Sequence, residues 1–177
     1  MKFTFQTLID KLNIPKWLLP WITYTQFLTK RLEAITGNTR IAVINEGIIS
    51  SRWWDRYKLH IGFEPVFVRE IIAYAHTDKC WYAQTIIPNT TYTKHYNLFS
   101  ELGTITLGDL IFGDYQITRN SLTIYEINHS NIEFYFLDKS LLNTSKQLWA
   151  RISEFLVKQE DKFYLLEIFL PDLEKYS

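Results

Sequence analysis

Apolar positions in the first part of the chain recur at three- and four-residue spacings. Phe5, Leu8, Ile9 and Leu12 fall on one side of a helix that Pro15 ends. Thr23-x-x-Gln26 has the form of a capping box, after which Tyr24, Phe27, Leu28, Leu32 and Ile35 share one helical face. Gly37 with Asn38 makes the stop. Between the two helices, Pro15 to Tyr24 is strongly apolar, but two prolines interrupt it, so it reads as an arm packed on the domain.

The periodicity then changes. Arg40–Ser50, Glu64–His76 and Cys80–Pro88 are rich in Val, Ile, Tyr and Phe at strand lengths, and the short polar link at His76–Lys79 predicts an antiparallel hairpin. Lys94–Leu102 is a short helical pattern closed by Gly103, and Thr106 caps one further helical turn. Tyr115–Asn128, Ile132–Leu137, Leu148–Lys158 and Phe163–Leu170 read as strands, the last ended by Pro171. Asn128–Gln147 is the most loop-like stretch. Strands in blocks predict an α+β fold: a single domain over residues 1–177, with a largely antiparallel sheet and helices on one face. Residues 1–22 form the N-terminal helix and arm, and 23–171 the core.

Composition narrows the function classes. Hydrophobic residues make up 47% of the 177 and charged residues 21%, as in a globular domain. Nineteen basic and nineteen acidic residues cancel, with no basic cluster of the kind a nucleic-acid partner needs. No apolar run is long enough for a membrane span, and the N-terminus lacks a secretory signal pattern. Cys80 is the only cysteine, so no internal disulfide forms, and it reads as a structural or surface thiol. The four histidines are scattered without metal-ligand spacing, and no P-loop, dinucleotide fingerprint or nucleophile elbow is present.

What remains is charge set in apolar runs. Strand alternation places Arg69 with Phe67, Ile71 and Ala73, and Glu167 with Leu165 and Phe169. Burying either charge is costly without a partner. Two readings fit: an Arg69–Glu167 ion pair, or two unrelated pairs, that only tie strands together; or an anion-binding arginine beside a carboxyl group whose pKa burial raises.

The chain resembles a known family, the chorismate pyruvate-lyases. Leu28-Thr29-Lys30-Arg31-Leu32-Glu33 is similar to the family's Thr-Lys-Arg helix, Asn45-Glu46-Gly47 to its first strand and Arg69-Glu70-Ile71-Ile72 to its Arg-Glu strand. Ala83–Pro88 resembles the next strand, and Leu102–Phe112 the double Leu-Gly followed by Leu-x-Phe. Thr118-Arg119, Trp149-Ala150-Arg151 and Leu166–Pro171 complete a collinear series. The chain departs from the compact bacterial enzymes in a longer Asn128–Gln147, in Ile152 where they carry a second arginine, and across Ser50–Phe63. These departures bear on the substrate lid. The long connection looks more like cyanobacterial or plastid members.

The resemblance implies an internal pocket closed by helical flaps and a cofactor-independent carbon–oxygen lyase. Such an enzyme eliminates pyruvate from chorismate to leave 4-hydroxybenzoate, for ubiquinone, plastoquinone or related aromatic biosynthesis. It implies a monomer with small-molecule partners, in bacterial cytoplasm or plastid stroma. Arg69 matches the group that binds the product carboxylate and Glu167 the carboxyl group near the phenolic hydroxyl. Leu28 and Leu107 match pocket positions contacting through main-chain atoms. Glu167, held neutral, would be the general acid. The alternative is a non-catalytic sensor of aromatic carboxylates with the same fold. The segment ahead of Leu28 is too short for a winged-helix domain, so that sensor is expected to stand alone. A third reading is an interaction protein with a lapsed site. For a site, Arg69 and Glu167 should lie a ligand's length apart without touching.

Overall fold

Pro20 begins the described architecture by limiting what can precede it. A computed structural model describes residues 12–103, 106–113, 116–142 and 147–177, so the helix read at Phe5–Leu12 lies outside the described residues but for Leu12. Within the arm, α1 (Leu19–Ile22) accepts Pro20 in its first turn, where the missing N–H costs nothing. Leu18, Trp21 and Ile22 are fully buried, so the arm is an integral part of the core. The next helix, α2 (Leu28–Thr36), starts later than predicted, with Phe27 at its cap position. The Thr23–Gln26 capping box does not form, because the Thr23 hydroxyl donates to the Leu19 carbonyl at 2.7 Å. Gly37 does end the helix, at φ 68°, a conformation glycine adopts without strain.

A capping bond occurs instead in a segment without a clear sequence signal. At α3 (Trp53–Leu59), Asp55 accepts from the Arg52 main-chain N–H at 2.7 Å. The strands flanking α3 are β1 (Thr39–Ser50) and β2 (Pro65–Ala75). β2 turns into β3 (Asp78–Pro88) through His76-Thr77, with Ala75 opposite Asp78. The helical pattern of Lys94–Leu102 begins earlier than predicted and is broken into α4 (Asn89–Lys94), α5 (Tyr96–Phe99) and a 3-10 turn over Ser100–Gly103. Thr106 caps α6 (Leu107–Phe112) as expected, its hydroxyl accepting from the Asp109 N–H at 3.1 Å.

After β4 (Ile117–Asn128), the predicted strand at Ile132–Leu137 is a 3-10 helix, Ile132–Phe136. Its backbone groups are used locally: Asn131 N–H donates to the Asn128 carbonyl at 2.9 Å and Phe134 N–H to the Asn131 carbonyl at 3.2 Å. That leaves no ladder to join. A short α7 (Lys139–Leu142) follows, then β5 (Gln147–Val157), β6 (Asp161–Phe169) and a closing 3-10 helix, Pro171–Tyr176.

The six strands form one antiparallel sheet in the order β1-β2-β3-β6-β5-β4, two three-stranded meanders joined at β3 and β6. Both faces are covered, so the helices are not confined to one face as predicted. One face packs Val66, Val68, Ile72 and Tyr82 against Trp54 and Leu59 of α3 and Phe134, Leu137 and Leu141 of the long connection. The described part of that connection therefore packs on the face away from the cavity. The other face carries two apolar clusters. One holds Trp21, Leu32, Trp81 and Phe169, and the other Phe67, Leu107, Phe155 and Phe163. The site lies on this second face.

Candidate functional site

Sheet register decides which side chains share that face. Arg69 on β2 stands opposite Thr85 on β3, which stands opposite Leu165 on β6; Ala83, two residues before Thr85, faces Glu167. Arg69 and Glu167 are thus two strands and one two-residue step apart, roughly 12 Å between their Cα positions from standard strand spacings. They do not touch. The direct ion pair is absent, and each group is held by another partner.

Arg69 donates through Nε to Glu46 at 3.0 Å. A bulge between Val43 and Asn45 makes this possible: Ile41 and Val43 line the same cavity as Arg69, and the extra residue brings Glu46 opposite Arg69. Arg69 is nearly buried while Glu46 is 38% exposed, so this pair leaves the guanidinium open to a further anion.

Glu167 is held more completely. Arg151, opposite it on β5, donates Nε to one carboxylate oxygen and Nη2 to the other, at 2.5 and 3.1 Å. The third nitrogen, Nη1, donates to the carbonyls of Trp21, Ile22 and Tyr24. Arg151 is 1% exposed, and this set of acceptors is what allows a guanidinium to be buried. It also fastens the α1–α2 turn to the sheet. Glu167 is therefore not a lone buried acid but half of a bidentate pair, and with Arg69–Glu46 it gives the two separate pairs that one reading of the sequence allowed.

A cavity of about 300 Å³ lies over this floor, a size suited to a small molecule. Arg69, Glu167, Leu28 and Leu107 all line it. Its roof is made by Gln26–Thr29 at the start of α2 and Thr106–Gly108 with Ile111 of α6. These two flaps meet. Lys30 pairs with Asp109 at 3.1 Å, and a Cβ on Gly108 would come 2.4 Å from Phe27 Cδ1, so only glycine permits this approach without a shift. Asp109 is held below the usual carboxylate range, first by the Thr106 hydroxyl and then, against a burial penalty, by Lys30.

Two charged lining residues were not singled out from the sequence as site residues: Arg119 and Arg151. Arg151 stands between Ala150 and Ile152, the same signal that marked Arg69, whereas Arg119 lies between Thr118 and Asn120 and carries no such signal. A bulge between Arg119 and Ser121 lets Arg119 and Ile124 face the same side. Arg119 Nη1 donates to the Thr25 carbonyl at 2.9 Å, and burial, followed by the like charge of Arg151, lowers its pKa. Cys80 is fully buried, with its thiol pushed up to about 12 by burial. It takes no part in the cavity wall.

Fold and site together define an α+β protein whose antiparallel sheet floors a partly open pocket lined by three arginines and Glu167. The chain belongs to the chorismate lyase family, whose model matches residues 2–176. It is 27% identical over 156 residues to a probable chorismate pyruvate-lyase of Psychromonas ingrahamii, covering 87% of this chain and 82% of that one. It is 25% identical to the chorismate pyruvate-lyase of Yersinia enterocolitica, covering 96% and 90%. Among solved structures, the possible transcriptional regulator YydK of Bacillus subtilis matches with a TM-score of 0.52 at 15% identity. That match covers 75% of this chain and 58% of the regulator, and it shows the fold alone.

Proposed function

We propose that this protein is a chorismate pyruvate-lyase, converting chorismate to 4-hydroxybenzoate and pyruvate. The observation that carries this reading is that Arg69 and Glu167, with Leu28 and Leu107, line one cavity with Arg69 and Glu167 a ligand's length apart. Arg69 takes the ring carboxylate with the donors that Glu46 leaves free. The ring lies over Ile71 and Ala83, whose small side chain leaves room between the two ends. The ring hydroxyl meets Glu167, and main-chain atoms at Leu28 and Leu107 complete the contacts from the two flaps.

The reaction breaks one ring C–H bond and the ether C–O bond. The C–H electron pair completes the aromatic ring, and the ether oxygen leaves with the enolpyruvyl group, which takes up a proton to become pyruvate. With both oxygens accepting from Arg151, Glu167 offers lone pairs rather than an acid proton. Its role is to accept from the ring hydroxyl carried on the carbon that loses hydrogen, holding the substrate in the reactive pose. The flaps exclude water while this happens. The chemistry asks for no added cofactor, and the proposed contacts all come from one chain, so a monomer suffices. The relatives compared are bacterial, and a bacterial cytoplasmic setting is adopted over a plastid stroma.

Mixing the purified protein with chorismate tests the reading. Formation of 4-hydroxybenzoate and pyruvate in equal amounts is expected. Binding of chorismate without turnover would mark a sensor instead, and neither binding nor turnover a lapsed site. Arg69→Ala should weaken chorismate and 4-hydroxybenzoate alike, by about tenfold to a hundredfold for the loss of a charged hydrogen bond.

A further inference from the structure

Three guanidinium groups, Arg69, Arg119 and Arg151, line the one cavity. Two are matched by carboxylates: Arg69 by Glu46, and Arg151 by both oxygens of Glu167. The third has no carboxylate partner among the described residues. Arg119 has a neutral main-chain acceptor, the Thr25 carbonyl, and the face of the Phe155 ring at 5.1 Å. Its Nε is buried with no hydrogen-bond partner among the described residues. A buried donor on a charged group is costly to leave unmade, and the β4 bulge that turns Arg119 toward the cavity creates that cost. An anion arriving in the cavity would remove it.

We propose that Arg119 seats the second carboxylate of chorismate, the one carried on the enolpyruvyl ether. The assignment rests on the lyase reading and deepens it. The ether-bearing ring carbon is next to the hydroxyl-bearing carbon, so the enolpyruvyl arm leaves the ring sideways at the hydroxyl end. Glu167 marks that end, and Arg119 is near enough for the charges of Arg151 and Glu167 to act on it. The side-arm carboxylate then meets the one lining guanidinium that no carboxylate already matches, while the ring carboxylate shares Arg69 with Glu46. As the ether C–O bond breaks, negative charge grows on the departing enolpyruvate beside the same guanidinium, which stabilises it without giving up a proton. The product lacks this carboxylate, so Arg119 separates substrate from product, whereas Arg69 holds both.

The test compares Arg119→Gln and Arg119→Lys with the wild type, using chorismate turnover and equilibrium binding of 4-hydroxybenzoate. For Arg119→Gln, chorismate KM should rise about tenfold to a hundredfold. Its 4-hydroxybenzoate affinity should stay within about threefold of wild type, and Arg119→Lys should recover part of the loss. A chorismate KM unchanged in Arg119→Gln, or a parallel loss of product affinity, would overturn the assignment while leaving the lyase reading intact. A wild-type protein that makes no 4-hydroxybenzoate would overturn both. Should Arg119→Gln fail to fold, the wild type still decides. A 4-hydroxybenzoate bearing a carboxymethoxy group beside its hydroxyl should bind more tightly than 4-hydroxybenzoate, and an equal or weaker affinity would sink the idea.

Discussion

Glu167 and Arg151 each make the other's burial possible, and neither can be changed alone without stranding a charge. Glu167→Gln keeps the shape but offers one acceptor oxygen where Arg151 now uses two. Truncating one partner of a buried pair costs about 3 kcal/mol or more. For a chain of this size that corresponds to a fall in Tm of roughly 6–12 °C. The same substitution leaves Arg151 and the ring hydroxyl competing for one acceptor oxygen, and the lost positioning should lower kcat about a hundredfold. Scanning calorimetry with steady-state turnover checks both effects. Unchanged turnover in a protein that has lost stability would show that Glu167 is only a tie between strands. By contrast, Glu46 is largely exposed, so losing Arg69 strands nothing, and its effect should be read in binding and not in Tm.

Among the elements, the flaps depend on one close approach. Gly108 lies under the Phe27 ring where no Cβ fits, and the Lys30–Asp109 pair closes the same seam from outside. Gly108→Ala should push α6 away from the start of α2, raising the product dissociation rate several-fold with little change in Tm, since both flaps are short and partly exposed. Stopped-flow displacement of 4-hydroxybenzoate would measure it, and an unchanged rate would mean that the seam does not gate release. The central strands β2, β3, β5 and β6 were legible in the sequence because each presents apolar residues to two buried faces, and the edge strands β1 and β4 because of their β-branched content. Thr23 misled because its hydroxyl had a nearer acceptor in Leu19. Ile132–Leu137 misled because two asparagines close a turn ahead of it. Arg69 and Glu167 stood out as single charges in apolar runs. Which charge each would meet was not legible. That depends on strand register and on two bulges, which bring Glu46 to Arg69 and turn Arg119 toward the cavity while the cross-strand partner Arg151 takes Glu167.

At the scale of the whole molecule, titratable groups tie distant parts of the chain and set its pH range. Asp161 at the start of β6 accepts from Lys94 of α4 at 2.7 Å and from His95 at 2.8 Å, and these partners, Lys94 first, hold its carboxyl below the usual range. Asp78, which accepts from Lys175 and Tyr176 of the closing 3-10 helix, is lowered for the same reason, with Lys175 the larger cause. A carboxyl lowered in the folded state contributes stability above its unfolded pKa of about 4 and loses it as pH falls through the folded value. The alkaline side runs the other way. Burial pushes Cys80 up to about 12 from an ordinary 9.0, so its contribution is present below pH 9 and lost as pH rises toward 12, because the unfolded thiol ionises first. The Tm profile should thus be flat between about pH 5 and 8 and fall on both sides. Asp161→Asn should lower the plateau slightly and flatten the acid limb, while Cys80→Ala should leave the acid limb unchanged and flatten the alkaline one. An acid limb as steep in Asp161→Asn as in the wild type would show that the Lys94–His95 cluster does not couple α4 and α5 to the sheet.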